Sequence, residues 1–386
     1  MNAIAKTSCL PSKKQELLLK AAILKGSAAI NSWSEWSSSS DLAAVDHETQ
    51  LFLPVVYSNL YGQGFRDPGL ERCRGLYRKS WAKNKVLLHE MTGILRMVQD
   101  AGVTVLVLKG AAMSLLYYKE QGIRPMEDID ILVPPEHAKN AIDALFASGW
   151  TRTKNSGTPF NERFPDVNKA NHFEKHGCYV DMHWHLLLAS SYQGGDDDFR
   201  AGAVPVRIDD TLTVQALNPT DHIFHLLVHA MRWNPAPLLR WVADAMTILD
   251  SGQEIDWNRL LKQAENRELL LPVRNGLFYL HELMNAPIPP AVLEEIRKKE
   301  ISSFEYREFR VHSHPEKLLA GLLHTWYQHC RVHRKESLLR RLASFPRHLQ
   351  ITLGARHLWQ FPFYFILFGV RRVWTFFFNP PHPQPP

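Results

Sequence analysis

The sequence has few cysteines and no long apolar run, and both facts limit the classes of protein to which it can belong. The 386-residue chain contains four cysteines, which lie far apart and form no Cys-x-x-Cys pair. This pattern argues against a disulfide framework and favours free thiols in a reducing compartment. No apolar run approaches the roughly 18 residues of a membrane-spanning helix, and the N-terminal residues lack the apolar centre of a secretory signal. We therefore expect a cytoplasmic protein.

The composition is that of a folded chain with a mildly basic surface. Hydrophobic residues make up 45% and charged residues 22%, which excludes a disordered protein. The formal net charge of +6 suits an anionic partner such as a nucleotide, although basic soluble proteins are common. The length exceeds that of a typical single core, so we expect more than one core or appended helices.

The order of predicted elements indicates an α/β fold. Residues 12–30 and most of residues 42–100 have the apolar spacing of helices. From Val103 the pattern changes to a strand (VTVLVL), a helix (AAMSLLYYKE), a strand (DIDILV) and a second helix. NHFEKHGCYVDMHWHLL then predicts an antiparallel hairpin that turns at Gly177. We expect a small mixed sheet with helices packed on it.

The remaining sequence predicts further helices around this sheet. Residues 190–203 are polar and rich in glycine and aspartate, which is typical of a loop. Beyond Asn218 the chain has helical periodicity to about residue 300. We expect four regions, which are an N-terminal helical region (1–90), the sheet-containing core (91–215), a helical domain (216–300) and a helical, aromatic C-terminal extension (301–386).

The strand DIDILV carries the first candidate functional residues. Side chains alternate between the two faces of a strand, so Asp128 and Asp130 project together while Ile129 and Ile131 face a core. Two neighbouring carboxylates repel each other unless a cation lies between them. Oxygen ligands of this kind suit Mg²⁺, so this pair predicts a metal site.

A third carboxylate lies on the predicted hairpin. In CYVDMHWHL the apolar residues share one face, which leaves Asp181 beside His183 on the other, on a strand that could pair with DIDILV. Three such carboxylates can hold the two metal ions of a phosphoryl-transfer site. A zinc site built from His183 and His185 is disfavoured because Cys178 faces the opposite way, and we expect no zinc.

The turn at Lys109 and Gly110 predicts a place for phosphate. A glycine between a strand and a helix lets backbone amides approach an anion at the helix N-terminus. Lys109 adds a positive charge that could meet a triphosphate. Arg124 could hold a phosphate or pair with a carboxylate, and both remain open. Arg240 and Asp244 have the spacing of an ion pair within one helix.

Together these segments resemble a known pattern. VLVLKGAAMSLLYYKEQGIRPMEDIDILV followed by YVDMHWHL is similar to the uncharacterised nucleotidyltransferase family of the DNA polymerase β superfamily. Gly110 matches the turn glycine, Asp128 and Asp130 match the metal-binding pair, and Asp181 matches the third carboxylate. The segment 122–128 matches the arginine-containing approach to the aspartates, and helices within 219–265 resemble the helical half of the family.

The resemblance implies a nucleotidyltransferase that requires Mg²⁺ or Mn²⁺. It would transfer a nucleoside monophosphate from a nucleoside triphosphate to an acceptor and release pyrophosphate. Asp128 and Asp130 would hold both metals, and Asp181 would complete the catalytic metal site and help to deprotonate the acceptor. Lys109, Gly110 and Arg124 would bind the nucleotide. The acceptor, which could be a small molecule, RNA or protein, stays open.

Two features favour a different function. Ala111 follows Gly110, where many members of the superfamily have a serine or glycine that helps to hold the phosphates. A non-catalytic nucleotide-binding or membrane-surface scaffold protein on the same fold is therefore the alternative. Residues 359–378 are aromatic and apolar with two arginines, so they could lie in a membrane interface as a peripheral contact or pack on the protein's own core.

Overall fold

The computed structural model describes residues 10–153, 169–231, 238–313, 320–353, 355 and 357–360. Most of the aromatic segment 359–378 therefore lies outside the described residues, and its predicted membrane contact stays a prediction. Within the described part, no helix is both long and apolar enough to cross a bilayer.

The N-terminal region is a group of four helices. They are α1 (Lys13–Ile23), α2 (Gly26–Ser38), α3 (His47–Gly62) and α4 (Pro68–Asp100). The single helix predicted for residues 12–30 is thus divided. The chain is extended at Leu24, and the Asn59 side chain donates hydrogen bonds to the carbonyls of Ala21 and Leu24. These contacts satisfy carbonyl groups that the end of a helix leaves unpaired.

The sheet has seven strands in the order β3-β4-β5-β2-β1-β7-β6. The strands are β1 (Leu106–Val107), β2 (Ile129–Leu132), β3 (Thr151–Arg152), β4 (Ala170–Lys175), β5 (Cys178–His183), β6 (Val204–Arg207) and β7 (Thr213–Ala216). Helices α5 (Lys109–Leu116), α6 (Ala138–Ala147) and α7 (Asp197–Ala201) connect them. Strand β2 is parallel to β5 and β1 is parallel to β7, whereas the other pairs are antiparallel.

The predicted α/β class, both single strands and the hairpin at Gly177 are confirmed, but the prediction was incomplete. Strands β3, β6 and β7 were not predicted, and the expected loop at 190–203 contains α7. β3, β6 and β7 are short, and β6 includes Pro205, which lacks the amide that a central strand would donate. β6 lies at the sheet edge, where a proline is tolerated.

The buried face of the sheet explains why its polar residues share the other face. Ile129 and Ile131 of β2 pack with Val180 and Met182 of β5 in one apolar core beneath helices α4 and α6. All four side chains are almost completely buried. Burial of each contributes about 1.5–3 kcal/mol to folding, which fixes the strand register and presents the alternate residues on the opposite face.

The C-terminal half is helical in its described parts. The helices are α8 (Pro219–Ala230), α9 (Arg240–Leu249), α10 (Trp257–Asn266), α11 (Leu270–Met284), α12 (Pro290–Lys298), α13 (Ser303–Ser313), α14 (Ala320–Val332) and α15 (Leu338–Leu353). A second apolar core joins residues of α1–α4 to α8–α13. The four-region division stays a prediction.

Candidate functional site

One face of the sheet carries a row of polar side chains across three strands. Asp130 on β2 is the register partner of Asp181 on β5, and Asp181 is the partner of His172 on β4. Directly paired residues project from the same face of a sheet. His183, two residues after Asp181, joins the same face. The predicted pairing of the hairpin with DIDILV is therefore present, and it brings two of the three aspartates together.

Asp130 is the buried centre of this row. Its side chain is 3% exposed, and its Oδ1 accepts a hydrogen bond from Lys109 Nζ at 2.6 Å. His183 Nε2 lies 3.2 Å from the same oxygen. Burial alone would raise the pKa of Asp130, but the charge of Lys109 and the contact with His183 outweigh it and hold the pKa well below its usual range. Asp130 is therefore ionised at neutral pH.

Lys109 reaches Asp130 from an unusual backbone conformation. It is the first residue of α5 and has a φ of 44°, in the left-handed region. That conformation costs a lysine about 1–2 kcal/mol. The preceding residue, Leu108, donates its amide to the carbonyl of Asp130 at 3.0 Å. The turn thus holds the Lys109 ammonium beside the aspartate, and its contact with a triphosphate stays a prediction.

Another segment of the chain passes close to Gly110. A Cβ atom at this position would lie 3.0 Å from Nη1 of Arg124 and 3.1 Å from Cγ of Met126. Both distances are tighter than ordinary van der Waals contact. The glycine therefore lets the segment that leads to Asp128 pass close to the start of α5.

Asp128 lies one residue before β2 and is half-buried. Burial, together with the negative charges of Asp130 and Asp181, raises the pKa of Asp128 to about 6. Three carboxylates close enough to affect one another in this way favour binding of a cation.

Asp181 completes the acidic group. His172 Nδ1 hydrogen-bonds to Asp181 Oδ1. Asp130, Asp181 and His183 each offer a ligand atom within 4.8 Å of the other two. Asp128 is outside this closest group. The arrangement can hold a cation between β2 and β5.

Arg124, whose role the sequence left open, pairs with a carboxylate. Its Nη2 donates to Asp244 Oδ2 at 2.9 Å, and the hydroxyl of Tyr118 donates to Asp244 Oδ1 at 2.8 Å. The predicted pair of Arg240 with Asp244 is wrong, because Arg124 takes that carboxylate. Nη2 of Arg240 instead lies 3.4 Å from Oε1 of Glu48 and 3.6 Å from Oε2 of Glu127.

Asp128, Asp130 and Lys109 line a cleft of about 240 Å³ between the sheet and helices α8 and α9, here called the acidic cleft. Asp181 and His183 are not among its lining residues. Its walls are Lys109, Gly110, Arg124, Met126, Glu127, Asp128, Asp130, His225, Leu226, His229, Leu238, Arg240, Trp241 and Asp244. The helical wall was not predicted as part of the site. His225 and His229 lie one turn apart on α8, and helical spacing alone could not show that this turn faces the cleft.

A family model described as "Uncharacterised nucleotidyltransferase" matches residues 40–285. The chain belongs to this family. Membership supports a general role in nucleotidyl transfer and confirms the resemblance seen in the sequence. The match begins before the sheet, so helices α3 and α4 belong to the family unit together with both walls of the acidic cleft.

No curated protein matches the chain. The crystal structure of an antigenic nucleotidyltransferase-like protein from Paracoccidioides brasiliensis is similar at 13% sequence identity and a TM-score of 0.34. The similarity covers 55% of this chain and 96% of that chain, and at this distance it carries no argument about function.

Proposed function

We propose that the acidic cleft binds a nucleoside triphosphate with Mg²⁺ or Mn²⁺ and transfers its nucleoside monophosphate to an acceptor. An acceptor oxygen would bond to the α-phosphorus as the bond from that phosphorus to the bridging oxygen breaks, and pyrophosphate would leave. The observation that carries the proposal is the paired register of Asp130 and Asp181, with Asp128 two residues before Asp130.

The donor set fits a divalent cation. Asp128, Asp130 and Asp181 supply hard carboxylate oxygens, which Mg²⁺ prefers, and the nitrogen of His183 is compatible with Mn²⁺. Lys109 and His183 both contact Oδ1 of Asp130, so Oδ2 is the oxygen we assign to a metal. When bound, the cation would neutralise charge on the phosphates and on the acceptor oxygen.

The basic residues of the cleft would orient the triphosphate. Lys109 is 23% exposed at the cleft wall, beside Gly110. Arg240 lies across the cleft, and its contacts with Glu48 and Glu127 are longer than a strong ion-pair hydrogen bond. The volume of about 240 Å³ is smaller than usual ligand pockets of about 300–1,000 Å³. We therefore assign the phosphates to the cleft and the ribose and base to its mouth.

Asp181 is the residue we assign to the acceptor's proton. Its hydrogen bond to His172 orients the carboxylate, and the same bond raises the pKa of His172. His172 is about half exposed, so a proton that reaches it can pass to solvent. The acceptor itself stays open among small molecules, RNA and protein. A cytoplasmic location, with a peripheral membrane contact through 359–378, also stays a prediction.

Nucleotide binding without turnover is the second candidate. It is favoured by the Lys109–Asp130 contact, because the ammonium neutralises the most buried carboxylate of the site. Ala111 is buried in the apolar core and offers no hydroxyl to a phosphate.

Metal-dependent binding of a non-hydrolysable nucleoside triphosphate, measured by calorimetry, tests the proposal without knowledge of the acceptor. We expect binding in Mg²⁺ or Mn²⁺ that Asp130→Asn abolishes. Asp143→Asn is the matched control, because Asp143 is an exposed aspartate of α6 paired with Lys139. Absence of binding, or equal binding by Asp130→Asn, would contradict the proposal. Pyrophosphate release with candidate acceptors then separates transfer from binding alone.

A further inference from the structure

Three histidines meet where helices α14 and α15 pack, in the C-terminal region that the acidic cleft does not use. His329 lies on α14, His333 follows one turn later, and His348 lies on α15. The amide of His333 donates to the carbonyl of His329 at 3.0 Å, which continues the helical turn. Each of the three offers a ligand nitrogen within 4.8 Å of the other two. We call this group the histidine triad.

Two of the three side chains are buried with a nitrogen left unsatisfied. His329 is 0% exposed and His348 is 4% exposed. Among the residues that the structure describes, Nδ1 of His329 and Nε2 of His348 have no hydrogen-bond partner. Buried polar atoms are nearly always paired. A cation bound to both nitrogens would give each of them a partner.

The contacts of the other nitrogens fix which atoms carry lone pairs. Nε2 of His329 lies 2.9 Å from the carbonyl oxygen of Arg341 and donates its proton to it, which leaves a lone pair on Nδ1. Nδ1 of His333 lies 3.0 Å from Oε1 of Glu336 and donates to that carboxylate, which leaves a lone pair on Nε2. A carbonyl or carboxylate behind the imidazole is the usual support of a metal-binding histidine.

Burial disfavours the charged form of His329 and His348. Burial, together with nearby His329 and His333, lowers the pKa of His348 to about 3. Burial also lowers the pKa of His329.

We propose that His329, His333 and His348 bind a divalent transition-metal cation, for which Zn²⁺ is the best fit. Three neutral imidazoles suit Zn²⁺ and do not suit Mg²⁺, which prefers oxygen. His333 and His348 also line a cleft of about 680 Å³ together with Tyr192, Arg200 and Ser344. The fourth ligand would be a water or a small anion that enters from this cleft.

The cation would clamp α14 to α15 and stabilise the C-terminal helices. The site shares no residue with the acidic cleft and does not rest on the proposed function. It also revises the expectation of no zinc, which considered only the histidines near Asp181. The ligands are separated in sequence by the turn between two helices, so their spacing alone gave no metal motif.

The test is a count of tightly bound Zn²⁺ on the full chain. The protein is stripped with a chelator and titrated with Zn²⁺ against a chromophoric competitor, as wild type and as the His333→Ala/His348→Ala double variant. We expect the wild type to bind one more equivalent than the double variant. His89→Ala, which removes an exposed histidine of α4, should bind as wild type does. Equal numbers and affinities in wild type and double variant would overturn the proposal.

Two further variants distinguish loss of a metal ligand from a general disturbance of folding. His333 is 30% exposed at the end of α14, so His333→Ala alone should keep the circular dichroism of the wild type while losing the equivalent. Glu336→Gln removes only the carboxylate behind His333 and should weaken Zn²⁺ binding by roughly 10-fold or more. Unchanged affinity in both variants would contradict the proposal. Asp130→Asn should leave this equivalent in place.

Discussion

The acidic cleft and the histidine triad both gather titratable side chains around a buried centre, but they neutralise charge differently. In the cleft, Asp130 stays ionised because Lys109 and His183 contact it. In the triad, burial keeps His329 and His348 uncharged. A charged oxygen site selects a hard cation, whereas a neutral nitrogen site selects a softer one. The two regions should therefore differ in metal preference.

The largest expected effect is the loss of the cleft's activity in Asp130→Asn. We expect nucleotidyl transfer, or metal-dependent nucleotide binding, to fall by at least about 100-fold. Mutation of a residue that only hydrogen-bonds to a metal ligand already lowers metal affinity or activity by roughly 10- to 100-fold, and Asp130 is assigned as a ligand itself. Steady-state turnover and calorimetry measure this. The Zn²⁺ equivalent of the triad should persist. Parallel loss of both metals would show that the two sites are not independent.

The second prediction concerns the wall of the cleft. Arg124→Met leaves Asp244, which is 1% exposed, without its charge partner and should lower the free energy of unfolding by about 3–5 kcal/mol. Urea denaturation measures this. Arg96→Met is the control, since Arg96 and Asp209 form an exposed pair whose loss should leave the stability nearly unchanged. Unchanged stability with weaker nucleotide binding would instead make Arg124 a phosphate ligand.

The third prediction concerns the pH dependence of stability in the helical region. Burial raises the pKa of Glu305 to about 7, although its hydrogen bond from the Leu271 amide opposes the shift. Since the folded pKa exceeds the unfolded value, the stability that Glu305 contributes is complete below about pH 4.5. It is lost as the pH rises towards 7.

Glu305→Gln should therefore reduce this decline by about 2–3 kcal/mol across that range. Denaturation at a series of pH values measures it. Glu294→Gln, an exposed glutamate of α12, is the control and should follow the wild-type curve. A Glu305→Gln curve parallel to wild type would show that the carboxyl is ionised in the folded protein.

The smallest expected effect tests the turn. Gly110→Ala places a Cβ atom against Arg124 and Met126 and should destabilise the protein by about 1–3 kcal/mol while weakening nucleotide binding. Gly75→Ala is the matched control, because nothing lies within 4 Å of a Cβ atom there. It should stabilise α4 by up to about 1 kcal/mol. If Gly110→Ala changes the free energy of unfolding as Gly75→Ala does, the close approach does not constrain the side chain at position 110.

The sequence was informative where a local period determines direction. Alternation along β2 and β5 correctly predicted that Asp130 and Asp181 share a face and that Ile129 and Ile131 are buried. The strand–turn–helix at Gly110 was also predicted, and the family match confirms the resemblance built on these segments. In each case the prediction depends only on residues that are neighbours in the sequence.

Contacts between distant segments could not be predicted from one sequence. Arg124 pairs with Asp244, and Arg240 pairs with Glu48. Lys109 turns back onto Asp130 through a left-handed conformation that no local pattern indicates. The histidine triad depends on how α14 packs on α15. These outcomes follow from tertiary packing, which residue spacing does not encode.

The most direct test of the central claim is a crystal structure with a non-hydrolysable nucleoside triphosphate and Mn²⁺. We predict an anomalous manganese peak between Asp130 and Asp181, with the triphosphate beside Lys109 and Gly110. A nucleotide bound away from the acidic cleft, or a cleft that holds neither manganese nor phosphate at saturating concentrations, would contradict the account.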